Sequence, residues 1–310
     1  MIKKDYKISL LKIVKFLIIL LIVDFALGTI SQYVFFNQKT GKYARATHAI
    51  EKTEAKVLIF GSSHAHRHYI PEVLEKELQT SSYNAGAEGQ QLLYHSALQK
   101  MILKRTKPDV IILNVDEDFL YGSQAAYDRL SDLHPYYANH REDLKPILEQ
   151  QSRFVDFKLF FKSYQTNSTL VHAIRYYLSP QIDFKGYRPL YGKLSASNKL
   201  KMVETDEIET VIDQNFVTGF KSFIAKAKDN NIKLVMVTSP NLVQVDHTNN
   251  KSLSMITEII KNEQVTFIDF FNSKQFLNRY ELFHDSSHLN NDGATLFSSL
   301  LAEEIKKMKL

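Results

Sequence analysis

Apolar positions fall first into one long cluster and then into a series of short ones. The long cluster is Phe16 to Phe36, FLIILLIVDFALGTISQYVFF. It has about the ~20 residues that a helix needs to cross a bilayer core. A polar, basic stretch follows at 37–54, and beyond it short apolar runs alternate with helical spacing. VLIF at 57–60, SYNA at 82–85, VIILNV at 110–115, KLVMVT at 233–238 and VTFIDF at 265–270 read as buried parallel strands. Between and after them, helical spacing covers 71–78, 91–104, 216–229, 252–262 and 292–307. The pattern predicts an α/β fold at 55–310: a three-layer α/β/α sandwich around a five-stranded parallel sheet, flavodoxin-like in plan. Residues 120–215 break the alternation and are rich in aromatics, among them Tyr136, Tyr137, Phe154, Phe157, Phe160, Phe161, Tyr164, Tyr176 and Tyr177. A structureless loop of that length inside a compact domain is improbable, so a helical insertion is expected there.

Charge gives the long cluster a direction. Lys3, Lys4, Lys7, Lys12 and Lys15 precede it, which favours a cytoplasmic N-terminus at 1–15 and a single transmembrane anchor at 16–36. Lys39, Lys42 and Arg45 follow closely and weaken the asymmetry. No A-x-A-like site follows the cluster, so it reads as an uncleaved anchor, with 37–54 as a juxtamembrane linker. The expected location is the cytoplasmic membrane, with the main domain on its periplasmic or extracellular side. Asp24 sits inside the apolar stretch, where an acid is costly and commonly faces a partner helix; it points to a membrane partner.

Composition removes several classes of chemistry. The chain has no cysteine, which excludes disulfides, thiol catalysis and cysteine metal sites. The net charge is +5, but the lysines are scattered and form no basic stripe with interleaved aromatics, so no nucleic-acid partner is expected. His64, His66 and His68 alternate after the first strand. With no nearby acidic partner they read as the start of a solvated helix rather than a metal site, and no cofactor is expected.

Ligands of parallel α/β sheets bind outside the carboxyl ends of the strands, and two motifs fall at such ends. Gly61-Ser62-Ser63-His64 follows the first strand, where a glycine permits a sharp turn and presents Ser63 at a helix start. His284-Asp285-Ser286-Ser287-His288-Leu289-Asn290 precedes the last helix. An Asp and a His three residues apart on a loop can meet, fixing the imidazole tautomer and leaving the other ring nitrogen to take a serine proton. Each motif alone is ambiguous, because serine is a common helix cap and Asp285 could cap a turn. Together, in this order and on this pattern, they predict a catalytic triad of Ser63, His288 and Asp285. Asn290 and Asn291 are expected to shape the start of the last helix, and Asp246 and His247 lie on the same active edge.

In these residues the chain resembles the SGNH (GDSL-like) hydrolase superfamily. DSSHLNNDGATLFSSLL looks like the family's closing D-x-x-H-x-N-x-x-G block and helix. The GSS form of the first block, where many members read GDS, is similar to a membrane-anchored cell-envelope branch. That branch includes alginate O-acetyltransferase-like and D-alanyl-lipoteichoic acid transfer proteins. The resemblance covers about 55–118 and 216–310, and the insertion matches no part of it. By position it makes Ser63 the nucleophile and puts Ser62 at the family's aspartate. It implies an oxyanion hole built from the N–H groups of Ser63 and Gly89, with Gly86 the weaker alternative to Gly89. At the family's third block this chain reads Leu113-Asn114-Val115-Asp116. Asp116 stands at the asparagine position, and a carboxylate cannot donate to an oxyanion unless protonated. Asn114 or Asp116 is the remaining candidate contributor to the hole. His64 and Arg67, beside the nucleophile, are candidate substrate-binding residues, Arg67 for an anionic group.

The resemblance implies a serine-dependent acyl-ester hydrolase or O-acyltransferase acting on a cell-envelope glycan. The expected partners are an acylated glycan or acyl donor and a membrane-bound acyltransferase. The alternative is a non-catalytic glycan-binding or assembly factor beside such an acyltransferase, which Asp116 and Asp24 would both suit.

Overall fold

The computed structural model describes residues 2–194 and 210–308, with side chains from residue 9 onward. Residues 195–209 of the expected insertion, and the side chains of Lys3, Lys4 and Lys7, lie outside the described residues. In chain order the helices are α1 (Ile2–Phe36), α2 (Lys42–Glu51), α3 (Ser63–His68), α4 (Pro71–Leu78), α5 (Leu92–Leu103), α6 (Gln124–Arg129), α7 (Tyr137–Leu148), α8 (Val155–Phe160), α9 (Leu170–Leu178), α10 (Gln214–Asp229), α11 (Lys251–Asn262) and α12 (Asn291–Lys307). The strands are β1 (Val57–Phe60), β2 (Ser82–Asn84), β3 (Val110–Asn114), β4 (Lys233–Val237) and β5 (Thr266–Ile268). The chain forms two compact units, Met1–Ala44 with Leu130–Pro180, and Arg45–Arg129 with Gln181–Leu310.

The second unit holds the sheet, five parallel strands in the order β2-β1-β3-β4-β5. Strands this apolar are buried on both faces, and alternate residues serve opposite layers. Val57, Ile59, Val110, Ile112, Val235 and Val237 share one core with Tyr69, Leu74, Phe297 and Leu301 from the α3, α4 and α12 side. Phe297 is its hub, with ring contacts to Tyr69, Phe270 and Phe276. On the other face the Phe60 ring meets Phe223 of α10 edge-on at 5.5 Å. There α10 packs on α5, and Gly219 of α10 lies so close to Leu93 of α5 that a Cβ would sit 2.8 Å from its side chain. The expected three layers are therefore present. The chain leaves β1 toward β2 on one side and returns to β3 on the other. The carboxyl ends of β1 and β3 thus form a topological switch point, where such sheets open a crevice.

Residues 37–54, read as a linker, contain α2, with Ala46, Ala49 and Ile50 buried. Between Tyr43 and Ile50 its apolar positions are alanines interrupted by Arg45 and His48, so the helical face is faint in sequence.

In the first unit α1 is continuous over 35 residues, yet among the described residues no helix is long and apolar enough to cross a membrane. The expected span at 16–36 lies within α1. Within it only Phe16–Val23 is uninterruptedly apolar; Asp24, Gly28, Thr29, Ser31 and Gln32 break the run that follows. The polar residues beyond it make specific contacts within the unit. Asp24, expected to seek a membrane partner, accepts the backbone N–H groups of Lys162 (2.7 Å) and Ser163 (3.2 Å) and the Ser163 hydroxyl. The Ser31 and Thr166 hydroxyls bond at 2.6 Å. A Cβ on Gly28 would sit 2.5 Å from the Lys162 backbone, so glycine lets the two segments meet. Of the 120–215 stretch, α6 lies in the second unit and α7, α8 and α9 in the first, while 179–194 contains no helix.

Candidate active site

The turn after β1 is set by Gly61, whose φ of +136° is reached readily only by glycine. A Cβ there would also stand 2.8 Å from the Asn114 side chain. Ser62 follows as the N-cap of α3, its hydroxyl accepting from the His64 N–H at 3.4 Å and donating to the Asp116 carboxylate. The turn leaves Ser63 as the first residue of the helix, facing the loop before α12.

That loop is built around one carboxylate. Asp285 accepts the backbone N–H groups of Ser287 (2.9 Å) and His288 (2.8 Å), which bend the chain back on itself. Its two oxygens lie 3.0 Å from Nδ1 of His288, and Nε2 of His288 lies 2.9 Å from Oγ of Ser63. Hydroxyl, imidazole and carboxylate thus stand in hydrogen-bonded order. Burial would raise the Asp285 pKa, but the bonds from the His288 ring and the two backbone N–H groups outweigh it and hold the carboxyl well below the usual range. With Asp285 ionised, Nδ1 carries the proton and Nε2 is free to accept from Ser63. His284, the neighbouring histidine, is turned away: its Nδ1 meets the Tyr191 carbonyl at 2.7 Å. Asn290 caps α12 through the Gly293 N–H at 3.0 Å, and Asn291 takes the Tyr187 hydroxyl. Away from the triad, His247 pairs with Glu117 at 2.6 Å and Asp246 closes a turn with Thr248.

The loop after β2 separates the two candidate glycines. The Gly86 N–H is engaged by the Asn84 side chain at 2.9 Å, whereas no acceptor engages the Gly89 N–H among the described residues. Gly89 has a φ of +71°, and its carbonyl accepts from the Arg129 guanidinium at 2.6 Å. Glu88 fastens the loop by accepting from Arg45 (2.7 Å) and Arg67 (3.0 Å). Their charges, with the contact to His66, overcome the effect of burial and hold the Glu88 carboxyl well below its usual range. Arg67, expected to reach an anionic substrate group, is instead committed to Glu88 and to the Arg188 carbonyl.

The residues after β3 differ from the sequence expectation. Asn114 is fully buried; its Oδ1 accepts from the Tyr69 and Ser239 hydroxyls, and its Nδ2 donates to Asp116 at 2.9 Å. One of its two amide N–H groups is therefore spent on Asp116, and the side chain is sealed from solvent. Asp116 accepts from Ser62, Asn114 and Nδ1 of His64, the last at 2.7 Å. Burial opposes its charge, but His64 and these hydrogen bonds keep its carboxyl below the usual range, so it stays an acceptor. Asp116, held as an acceptor, cannot supply the third donor.

The alternating histidines each have a protein partner, and among the described residues no group of three or more acidic or histidine side chains is placed to hold a metal ion. His66 donates from Nδ1 to the Gly186 carbonyl at 2.9 Å. His68 accepts the Leu289 N–H at Nε2 (3.0 Å) and donates from Nδ1 to Ser239 (3.0 Å). Ser239 passes the hydrogen bond on to Asn114 at 2.7 Å. His68, Ser239 and Tyr69 thus support the base loop from behind. No local spacing marks Ser239, because its partner Asn114 is 125 residues away.

No protein-family model and no curated protein matches the chain. Among solved structures, the chain is 13% identical to a protein assigned to the G-D-S-L lipolytic family from Desulfitobacterium hafniense, over 80% of this chain and 97% of that one, with a TM-score of 0.40. It is 15% identical to an acetyl xylan esterase, over 82% of this chain and all of that one, with a TM-score of 0.39. A GDSL-like lipase from Bacteroides thetaiotaomicron is 9% identical over 86% of this chain and 98% of that one, at 0.38. Likenesses this distant carry no argument about activity, which must come from the site itself.

Proposed function

We propose that the protein is a serine-dependent acyl-ester hydrolase or O-acyltransferase of the SGNH type, working through an acyl-Ser63 intermediate. The observation that carries this reading is the continuous path from Ser63 Oγ to His288 Nε2 at 2.9 Å and from His288 Nδ1 to Asp285 at 3.0 Å. Two loops 225 residues apart in sequence meet there with the polarity a nucleophile requires. Ser63 attacks the ester carbonyl as His288 takes its proton; His288 then returns that proton to the leaving alkoxide. The Gly89 N–H, with that of Ser63, is the donor pair proposed for the oxyanion. Water or a sugar hydroxyl, deprotonated by His288, attacks the acyl carbonyl and restores Ser63.

The proposed substrate is an O-acylated glycan of the cell envelope. The proposed location is the cytoplasmic membrane, with a membrane-bound acyltransferase as partner. In support, Leu10 to Val23 of α1 carries exposed apolar side chains including Leu17, Ile18, Ile19 and Ile22, a surface better suited to lipid or a membrane protein than to water.

A fluorophosphonate probe tests the nucleophile. The folded protein should label, and Ser63→Ala should abolish labelling without loss of fold. Folded wild-type protein that does not label would favour a non-catalytic binding role. Incubation with an acetyl donor and an oligosaccharide then separates the two activities: acetylated glycan by mass spectrometry marks transfer, and free acetate alone marks hydrolysis.

A further inference from the structure

Asp116 and His64 form a second carboxylate–imidazole pair beside the triad, with no part in the mechanism above. Nδ1 of His64 faces the Asp116 carboxylate at 2.7 Å, and Nε2 faces the Ser287 carbonyl at 3.2 Å. Neither partner can donate. Both contacts are hydrogen bonds only if both ring nitrogens carry hydrogen. Ser287 directly precedes the general base, and its N–H and hydroxyl are already bonded to Asp285. A donor on its carbonyl therefore holds the base loop from its remaining side.

We propose that His64 is a positioning residue: as an imidazolium bridging Asp116 and the Ser287 carbonyl, it ties the nucleophile turn and the end of β3 to the loop that carries His288. This rests on the catalytic reading of the triad. It also gives Asp116 a role that asparagine could not fill, since only a carboxylate stabilises the ring charge.

The titratable groups around the ring fit this assignment. Asp116 and Asp118 face it from the loop after β3, His68 from the next turn of α3 with ring centroids 5.1 Å apart, and His288 from the base loop at 5.4 Å. His68 is neutral: burial pushes its pKa well below the ordinary value, and both its nitrogens are committed, one as acceptor and one as donor. Burial opposes charge on His64 too, but the Asp116 carboxylate, by charge and hydrogen bond, and the Ser287 carbonyl reverse it and raise the pKa above the ordinary value. The bridge is therefore present below that raised value and lost as pH rises through it. Once Nε2 loses its proton, a lone pair opposes the Ser287 carbonyl and the tie to the base loop becomes a repulsion.

The test is the pH profile of p-nitrophenyl acetate hydrolysis by the full chain and by the variants His64→Gln and Asp116→Asn. The wild type should lose kcat/KM along an alkaline limb. Asp116→Asn should move that limb to lower pH. His64→Gln should remove it, with kcat at the optimum down about tenfold and KM within about threefold. A His64→Gln enzyme that keeps both the rate and the limb overturns the assignment. If the wild type hydrolyses no ester, the catalytic reading fails separately, and 15N spectra of the histidine rings decide the bridge. Two protonated nitrogens on His64 at neutral pH support it; one overturns it.

Discussion

At the residue scale, one carboxylate, Asp285, both shapes its loop and faces the imidazole of the proposed base. Its Oδ1 accepts the two backbone N–H groups that shape the base loop, and both its oxygens face the ring of His288. Asparagine in its place can still accept the backbone bonds through Oδ1. Its amide, however, would donate to Nδ1 and force the ring proton onto Nε2, where it meets Ser63 as a donor and cannot act as a base. Asp285→Asn should therefore lower kcat roughly 10³–10⁴-fold while leaving the fold intact. Steady-state kinetics with a thermal melt checks this; activity within tenfold of wild type would remove Asp285 from the mechanism. The triad was legible in sequence because a D-x-x-H pair is local and its serine lies at a recognisable strand end. The state of Asn114 and Asp116 was not legible. It depends on Ser62, His64, Tyr69 and Ser239, which come from two other loops, and no local spacing reports which way a side chain turns.

At the element scale, α12 begins with a residue that also joins three segments. Asn290 accepts the Gly293 N–H as a cap, while its amide donates to the Gly192 carbonyl at 2.9 Å and the Glu281 carbonyl at 2.8 Å. Loss of a cap alone costs about 1 kcal/mol, and the loss of the two amide hydrogen bonds adds to it. Asn290→Ala should therefore destabilise the protein by roughly 2–3 kcal/mol, measured by urea denaturation. A change under 0.5 kcal/mol, within the scatter of surface substitutions, would show that the cap is dispensable. The strands and the helices that follow them were legible, because their apolar periods are strong and turn residues bound them. Helix α2 was not, since alanines form much of its buried face. Nor did the sequence show that the helix containing 16–36 turns polar residues toward 162–166, because an apolar run has the same pattern whether lipid or protein covers it.

At the scale of the whole molecule, buried histidines make acid the vulnerable direction. Burial lowers His95 to about 4 and His68 well below its ordinary value, so both stay neutral in the fold while the unfolded chain binds their protons below about 6.5. The folded pKa is the lower one, so stability falls as pH drops through that window, by about 1.4 kcal/mol per pH unit for each histidine. Asp116, Asp285 and Glu88 act in the same sense. Their folded values are depressed, so their contribution is present above the ordinary carboxylate range and is lost as pH falls. The urea midpoint should decline between pH 6.5 and 4, and His95→Gln, which cannot titrate, should decline less steeply. A midpoint flat across that range would contradict the buried neutral histidines.

The sequence by itself determined the layered α/β domain, the order of its strands and helices, and the serine, histidine and aspartate brought together at the strand ends. These follow from periodicity and from motifs a few residues long, which the local chain fixes. Only the tertiary structure decided that Asn84 takes the Gly86 N–H, that Arg67 serves Glu88, and that Asp116 partners His64. It alone also joined α1 to a segment more than a hundred residues away. Each of those outcomes is a competition among hydrogen-bonding groups distant in sequence, and it has an answer only once the chain has closed around them.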